Sequence, residues 1–196
     1  NSGKINATSH GKTFSYKKSS YKSLSLVFKH DSYNRRFLPD RGKNIRIENN
    51  IGKDTYDDKV FYRLSMILNQ IFPLYNSLNL SIMSWNQYIN PLDGEMNPAR
   101  KIRYGGINNL RGYMDNQFRS SKVSIQTVEI HLQKSSFFRT LLFFDLGLVP
   151  NELPKSSLGF GIHKLTNKAL FELQYAIPWS NSLLNGKIHI KWTSRL

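Results

Sequence analysis

The sequence predicts an all-β fold, an antiparallel up-and-down sheet curled into a transmembrane β-barrel. Three observations carry that expectation. Apolar and polar residues alternate with a period of two through successive segments from Leu24 onward, the pattern of strands with one apolar face. Several of these segments, counted with their turns, reach the roughly 9–11 residues that a tilted strand needs to cross a bilayer. Aromatic residues collect near segment ends, at Tyr75, Trp85, Tyr88, Trp179 and Trp192, where the girdles of an outer-membrane barrel lie. A soluble sandwich with a charged outer face shows the same alternation, so periodicity alone leaves the two open. The polar phase late in the chain holds Glu129, His131, Asp145, His163, Glu172, Lys187, His189 and Lys191. That mixture of both signs suits a wet, ion-paired lumen and favours the barrel.

Residues 1–21 are rich in Ser, Lys and Gly with few apolar side chains, and read as a linker or loop. Leu24, Leu26 and Phe28 then alternate with Ser25, Val27 and Lys29. A turn follows around Pro39 and Gly42, and Ile45 and Ile47 alternate with Arg46 and Glu48. Tyr62, Leu64, Met66 and Leu68 form one phase of the next strand, although Leu64, Ile67, Leu68 and Ile71 also fit helical spacing. Asn76-Ser77 turns the chain into a strand through Leu78, Leu80 and Ile82. A long loop runs from about residue 86 to 122. Beyond it, Val128, Ile130 and Leu132 oppose Thr127, Glu129 and His131. Leu142, Phe144, Leu146 and Leu148 oppose Phe143, Asp145 and Gly147. Three further segments repeat the pattern, through Leu158, Phe160 and Ile162, through Phe171, Leu173, Tyr175 and Ile177, and through Ile188, Ile190 and Trp192. The pattern gives about nine strands, four before the long loop and five after it, with no βαβ signal.

The chain carries 28 Lys+Arg against 13 Asp+Glu, a net charge of +15, which calls for a polyanionic neighbour: nucleic acid, an anionic lipid surface or lipopolysaccharide. The basic residues are scattered, in pairs such as Lys17-Lys18, Arg35-Arg36 and Arg100-Lys101, without the blocks or motifs of a nucleic-acid binder. Cysteine is absent, which leaves no disulfide framework and no thiolate metal site. The five histidines lack metal-ligand spacing, and no Ser-His-Asp arrangement or phosphate loop is evident. The expectation is therefore no enzyme, no metal and no cofactor.

The long loop contains Tyr104-Gly105-Gly106-Ile107-Asn108-Asn109-Leu110-Arg111-Gly112-Tyr113. Gly and Asn tolerate positive φ, so this stretch can fold tightly and set Arg111 at its tip. Here the chain resembles the Omp85 superfamily of outer-membrane assembly and secretion barrels, in which an Arg-Gly-aromatic step stands at the tip of a loop folded into the barrel. Further features agree in order: Asp31-Ser32-Tyr33-Asn34 with Pro39 and Gly42, the strand Thr127-Val128-Glu129-Ile130, the aromatic-x-Asp-x-Gly run of Phe143, Asp145 and Gly147, and the ending Leu173-Gln174-Tyr175-Ala176-Ile177-Pro178 before a last strand led by Gly186. The resemblance covers about residues 22 to 196.

The resemblance implies the C-terminal part of a barrel of about sixteen strands. The loop motif would be Gly105, Gly106, Leu110, Arg111, Gly112 and Tyr113, with Arg111 paired inside the lumen to Glu129 and Asp145. Gly186, Ile188, Ile190, Trp192 and Leu196 would form one side of the lateral seam. The family's last residue is usually aromatic, and Leu196 departs from that. The implied role is insertion or translocation of other proteins at the bacterial outer membrane. Implied partners are lipid or lipopolysaccharide, an unfolded β-barrel client or a secreted protein, and the remaining barrel strands, from the same longer chain or another subunit. The alternatives are a structural half-barrel that closes with another chain or a second copy, and a soluble basic β-sandwich binding nucleic acid.

Overall fold

The computed structural model describes residues 4–9, 12–17, 21–54, 58–92, 94, 98–179 and 185–194. Its main body is a nine-stranded antiparallel sheet in the order β13-β12-β11-β10-β9-β6-β5-β4-β3. The strands are β3 (Tyr21–Asp31), β4 (Gly42–Asp54), β5 (Val60–Tyr75), β6 (Leu78–Pro91), β9 (Lys122–Ser135), β10 (Phe138–Leu148), β11 (Lys155–Leu165), β12 (Ala169–Pro178) and β13 (Lys187–Ser194). Sequence neighbours pair throughout, except that β6 pairs with β9 across the long loop. The helical spacing within residues 61–72 yields to strand because β5 is paired on both sides, to β4 and to β6.

Two expectations about boundaries change. Residues 4–9 and 12–17 are not irregular: β1 (Lys4–Ser9) and β2 (Lys12–Lys17) pair antiparallel in register Ile5↔Tyr16 and Ala7↔Phe14. A sparse alternation of Ile5, Ala7, Phe14 and Tyr16 among Ser, Thr and Lys was enough. The long loop begins after Pro91 rather than at residue 86, because Asn86 to Asn90 continue the β5–β6 ladder. It spans 92–121 and contains a 3-10 turn (Pro98–Arg100) and a short hairpin of β7 (Ile102–Tyr104) with β8 (Phe118–Ser120).

The two faces of the sheet differ chemically. The convex face presents Leu24, Phe28, Leu142, Phe160, Ile188 and Ile190, all exposed, with Leu142 at 61% and Ile190 at 64%. A soluble sandwich would bury such a face, and a barrel turns it to lipid. The concave face holds Asn79, Ser81, Thr127, His131, Gln133, Arg139, Asp145, His163 and Gln174, all buried.

Along β6 and β9 this division inverts. Toward the opposite end from the loop, Leu78, Leu80 and Ile82 with Val128, Ile130 and Leu132 point outward. Nearer the loop the outward phase becomes Ser84, Asn86 and Tyr88 with Gln126, Ser124 and Lys122. The inward phase there turns apolar: Ile89, Val123 and Ile125 are buried and join Phe61, Ile102, Tyr104, Leu110 and Val149 in one cluster. The loop thus supplies three of the eight buried residues of this cluster, Ile102, Tyr104 and Leu110, at its own end of the barrel interior. Trp85 packs against this cluster, so it faces inward and belongs to no girdle. Burying an indole beneath the loop removes more apolar surface from water than leaving it at the rim.

Candidate functional site: the loop clasp

The loop reaches the wall through a tight turn. Gly105 and Gly106 both have positive φ, and Gly106 N–H donates to the Leu110 carbonyl at 2.9 Å. The Asn109 side-chain oxygen accepts from both Gly105 N–H and Leu110 N–H at 2.8 Å, so one amide locks the turn from within. Leu110 is buried and packs beside Gly147, where a Cβ would lie 3.2 Å from the Leu110 Cδ2. Gly112 has φ +85, and a Cβ there would stand 3.1 Å from Ser157 Cβ. Backbone freedom and close approach both favour glycine at this position. Tyr113 stacks edge-on against Phe118 with ring centres 5.2 Å apart and donates its hydroxyl to the Ser156 carbonyl at 3.3 Å.

Arg111 stands between these features, 5% exposed. Its Nε donates to Asp145 Oδ2 at 2.8 Å and its Nη2 to Asp145 Oδ1 at 2.6 Å, a two-pronged fork. Its backbone N–H also donates to Oδ2, at 3.0 Å, and Thr127 Oγ1 donates to Oδ1 at 2.8 Å. Asp145 is fully buried, and four donors satisfy it. Nη1 donates to Glu129 Oε1 at 2.6 Å and to Gln174 Oε1 at 3.2 Å. The guanidinium lies over the Phe143 ring, 3.4 Å from its centre, and a Cβ at Gly159 would fall 2.3 Å from that ring. Phe143, Asp145 and Gly147 therefore act together: the ring carries the guanidinium plane, the carboxylate takes its fork, and the glycine makes room for Leu110.

Burial by itself would depress the Arg111 pKa. The hydrogen bonds and charges of Asp145 and Glu129 outweigh that and hold it above the ordinary arginine value, so the side chain stays a cation. The clasp is buried, with Arg111 5% and Asp145 0% exposed. The pairing accordingly belongs to the strong, desolvated kind.

Three partners were not readable from the motifs. The His189 Nε2 accepts from Gly112 N–H at 3.0 Å, which anchors the loop tip to β13. Gln174 bridges Arg111 to His163, whose Nε2 accepts from the Gln174 amide at 2.8 Å. His131 joins Glu129 to Arg139: the Arg139 Nη1 can only donate, so His131 Nδ1 accepts at 3.1 Å and its Nε2–H donates to Glu129 Oε2 at 2.7 Å. Arg139 Nη2 in turn donates to the Pro39 carbonyl at 3.2 Å, and Gln133 Nε2 to the Leu38 carbonyl at 2.9 Å. The β3–β4 turn is thereby drawn into the lumen at the end opposite the loop, with Leu38 buried. Within that turn burial, reinforced by Asp31, pushes the Tyr33 hydroxyl up to about 12. A continuous set of polar contacts joins the two plugs, from Arg111 through Glu129, His131 and Arg139 to Pro39. Only the spacing of inward polar residues on β9 hinted at it.

The seam residues lie as follows. β13 is an edge strand, paired with β12 alone among the described residues. Ile188, Ile190 and Trp192 point outward and are exposed. Gly186 precedes the strand and sits against Tyr175, where a Cβ would fall 2.3 Å from the ring. Leu196 lies outside the described residues. No group of three or more metal-capable side chains occurs among the described residues.

Fold and site together define a membrane-type β-barrel wall with an infolded loop clasped by arginine. The model of the Omp85 superfamily domain matches residues 3–186, and the chain belongs to that superfamily. Among solved structures, the crystal structure of BamA from Haemophilus ducreyi lacking POTRA domains 1-3 aligns with a TM-score of 0.72 at 16% sequence identity. The alignment covers 94% of this chain and 43% of that one, so the chain spans less than half of the BamA chain it matches. At this identity the likeness is one of fold. No curated protein matches the sequence.

Proposed function

We propose that the chain is the C-terminal wall of an Omp85-type barrel, integral to the bacterial outer membrane, that inserts or translocates other proteins without catalysing a covalent reaction. The observation that carries this reading is the tie between the loop tip and the seam strand. Gly112 bonds to His189 on β13 while Arg111 holds Glu129 and Asp145. The loop thus braces the inner face of a strand that pairs on one side only among the described residues. Such an edge can template an incoming strand by β-augmentation, with main-chain hydrogen bonds giving affinity. A braced strand stays extended and in register, which is what a template requires.

The test places a photo-reactive residue at Ile188, Ile190 and Trp192 in turn, in the complete protein, during synthesis of a β-barrel client. Adducts to the client at these positions, and none from Leu142 on β10, are expected. Absence of client adducts along the whole strand would overturn the reading.

A second reading rests on the two edges, β3 and β13, that have a sheet partner on one side only among the described residues. An unpaired edge in hydrocarbon costs several kcal/mol for each unsatisfied group. The chain could therefore be a structural half that closes with another chain or a second copy and transports nothing. The mass of the native polypeptide, extracted in mild detergent and resolved under denaturing conditions, separates the two. One chain far heavier than this one supports the first reading, and a chain of this size that co-purifies with a companion supports the second.

A further inference from the structure

The inversion on β6 and β9 leaves a polar stripe on the outside of the wall. Cross-strand register stacks Ser84↔Gln126, Asn86↔Ser124 and Tyr88↔Lys122 as three successive outward rungs. The first two rungs are hydrogen-bonded in series: Gln126 Nε2 donates to Ser124 Oγ at 2.9 Å, Ser124 Oγ to Asn86 Oδ1 at 2.7 Å, and Asn86 Nδ2 to Ser84 Oγ at 2.7 Å. In the third rung the Lys122 ammonium lies 5.0 Å from the centre of the Tyr88 ring. Apolar side chains border the stripe on both sides, Leu64 and Met66 from β5 and Leu146 and Leu148 from β10. A cleft of about 480 Å³ opens beside it, lined by Tyr88, Lys122, Ser124, Leu148, Pro150 and Glu152.

The height of the stripe follows from the neighbouring strands. Trp179 is exposed, and its backbone N–H donates to the Ser156 carbonyl at 2.9 Å. Ser156 shares its rung with Leu146, and Leu146 with Gln126. Exposed Trp and Tyr mark the boundary between hydrocarbon and headgroups, so the stripe begins where the hydrocarbon ends.

We propose that this stripe and cleft form a docking site for the phosphorylated saccharide headgroup of a membrane glycolipid. The proposal rests on the barrel's residence in an outer membrane. Its chemistry is specific. Side-chain amides and hydroxyls on successive rungs offer both donors and acceptors, which sugar hydroxyls match and acyl chains do not. The Tyr88 ring carries the Lys122 ammonium, and its hydroxyl adds a further donor and acceptor. Lys122 offers a positive charge that rests on a ring rather than on a carboxylate, and so is available to a phosphate. The carboxylate across the cleft, Glu152, is engaged by Lys155, which offsets its repulsion of an anion.

The test reconstitutes the complete protein in phosphatidylcholine nanodiscs and measures retention of three probes: a bisphosphorylated glucosamine-disaccharide lipid, its dephosphorylated form, and phosphatidylglycerol. The phosphorylated glycolipid should bind best, with the dephosphorylated form about tenfold weaker, the loss that follows from one charge-assisted contact. Phosphatidylglycerol should not exceed background. Lys122→Ala should bring the phosphorylated probe down to the level of the dephosphorylated one, Lys122→Arg should restore it, and Asn86→Leu should weaken both glycolipids. Equal retention of phosphatidylglycerol, or no effect of Lys122→Ala and Asn86→Leu, would overturn the site while leaving the barrel reading intact. Failure of the protein to enter the bilayer at all would overturn both.

Discussion

The Arg111 guanidinium and the Asp145 carboxylate meet as a fork, Nε to Oδ2 at 2.8 Å and Nη2 to Oδ1 at 2.6 Å, across 34 residues of sequence. Asp145 is fully buried and Arg111 nearly so, and the fork ties the loop to the middle of the wall. Removing the cation leaves two carboxylates facing a covered interior. Arg111→Ala is therefore expected to cost about 3–5 kcal/mol. Arg111→Lys should recover only part of that, because an ammonium offers neither the fork nor a plane to lie on Phe143. Urea unfolding in detergent, followed by the gel shift between folded and heated barrel, checks both. Equal stability of Arg111→Ala and the parent would contradict the clasp.

The glycines around Phe143 should rank by what a methyl group meets. At Gly159 it would lie 2.2 Å from the Tyr175 carbonyl oxygen and 2.3 Å from the Phe143 ring. Backbone cannot move aside cheaply, so Gly159→Ala should cost about 1–3 kcal/mol or more. At Gly147 the nearest atom is a Leu110 methyl at 3.2 Å, which can shift, and Gly147→Ala should cost distinctly less. The same unfolding assay reads the order, and a reversed order would contradict the packing.

Arg139 is expected to hold the β3–β4 turn. Arg139→Met removes the bond to the Pro39 carbonyl and the contact with His131. A nitroxide on Arg36→Cys, at the exposed part of that turn, should then tumble faster in its spin-resonance spectrum. An unchanged spectrum would mean that Gln133 alone secures the turn.

The outward face should be sensitive to charge according to height. Leu173→Arg, opposite Ile162 and Ile190 on the apolar wall, should cost about 2–4 kcal/mol if it sits near mid-bilayer. Ser84→Arg, on the polar stripe, should cost about 0–1 kcal/mol. Urea titrations in vesicles measure the pair, and equal costs would remove the boundary placed between them.

Much of this architecture was legible because strand periodicity is rigid. Once Leu142 and Phe144 faced one way, Phe143 and Asp145 had to face the other, and register between paired strands then carried Glu129 to the same interior. The loop motif could be recognised because Gly112 and Gly147 are fixed by backbone geometry and close approach. What escaped was non-local. His189 and Gln174 look like ordinary inward polar residues until the loop arrives beside them. Trp85 looked like a girdle residue because the alternation gives no sign of where membrane ends and loop-covered core begins. That inversion near Thr127 is written in the sequence as a change in which phase is apolar, but it gains meaning only when a loop stands ready to cover the new apolar face. The β1–β2 pair was missed because its apolar positions are too few to stand out from Ser and Lys.

The proposed function requires that the clasped loop keep the barrel competent to handle other proteins. The most direct measurement is the rate at which an unfolded β-barrel client inserts into vesicles carrying the complete protein, with Arg111 intact and as Arg111→Ala and Arg111→Lys, using only variants whose gel shift shows a folded barrel. Insertion by the folded variants is expected to fall toward the rate of empty vesicles. Insertion at the parent rate by a folded barrel lacking Arg111 would contradict it.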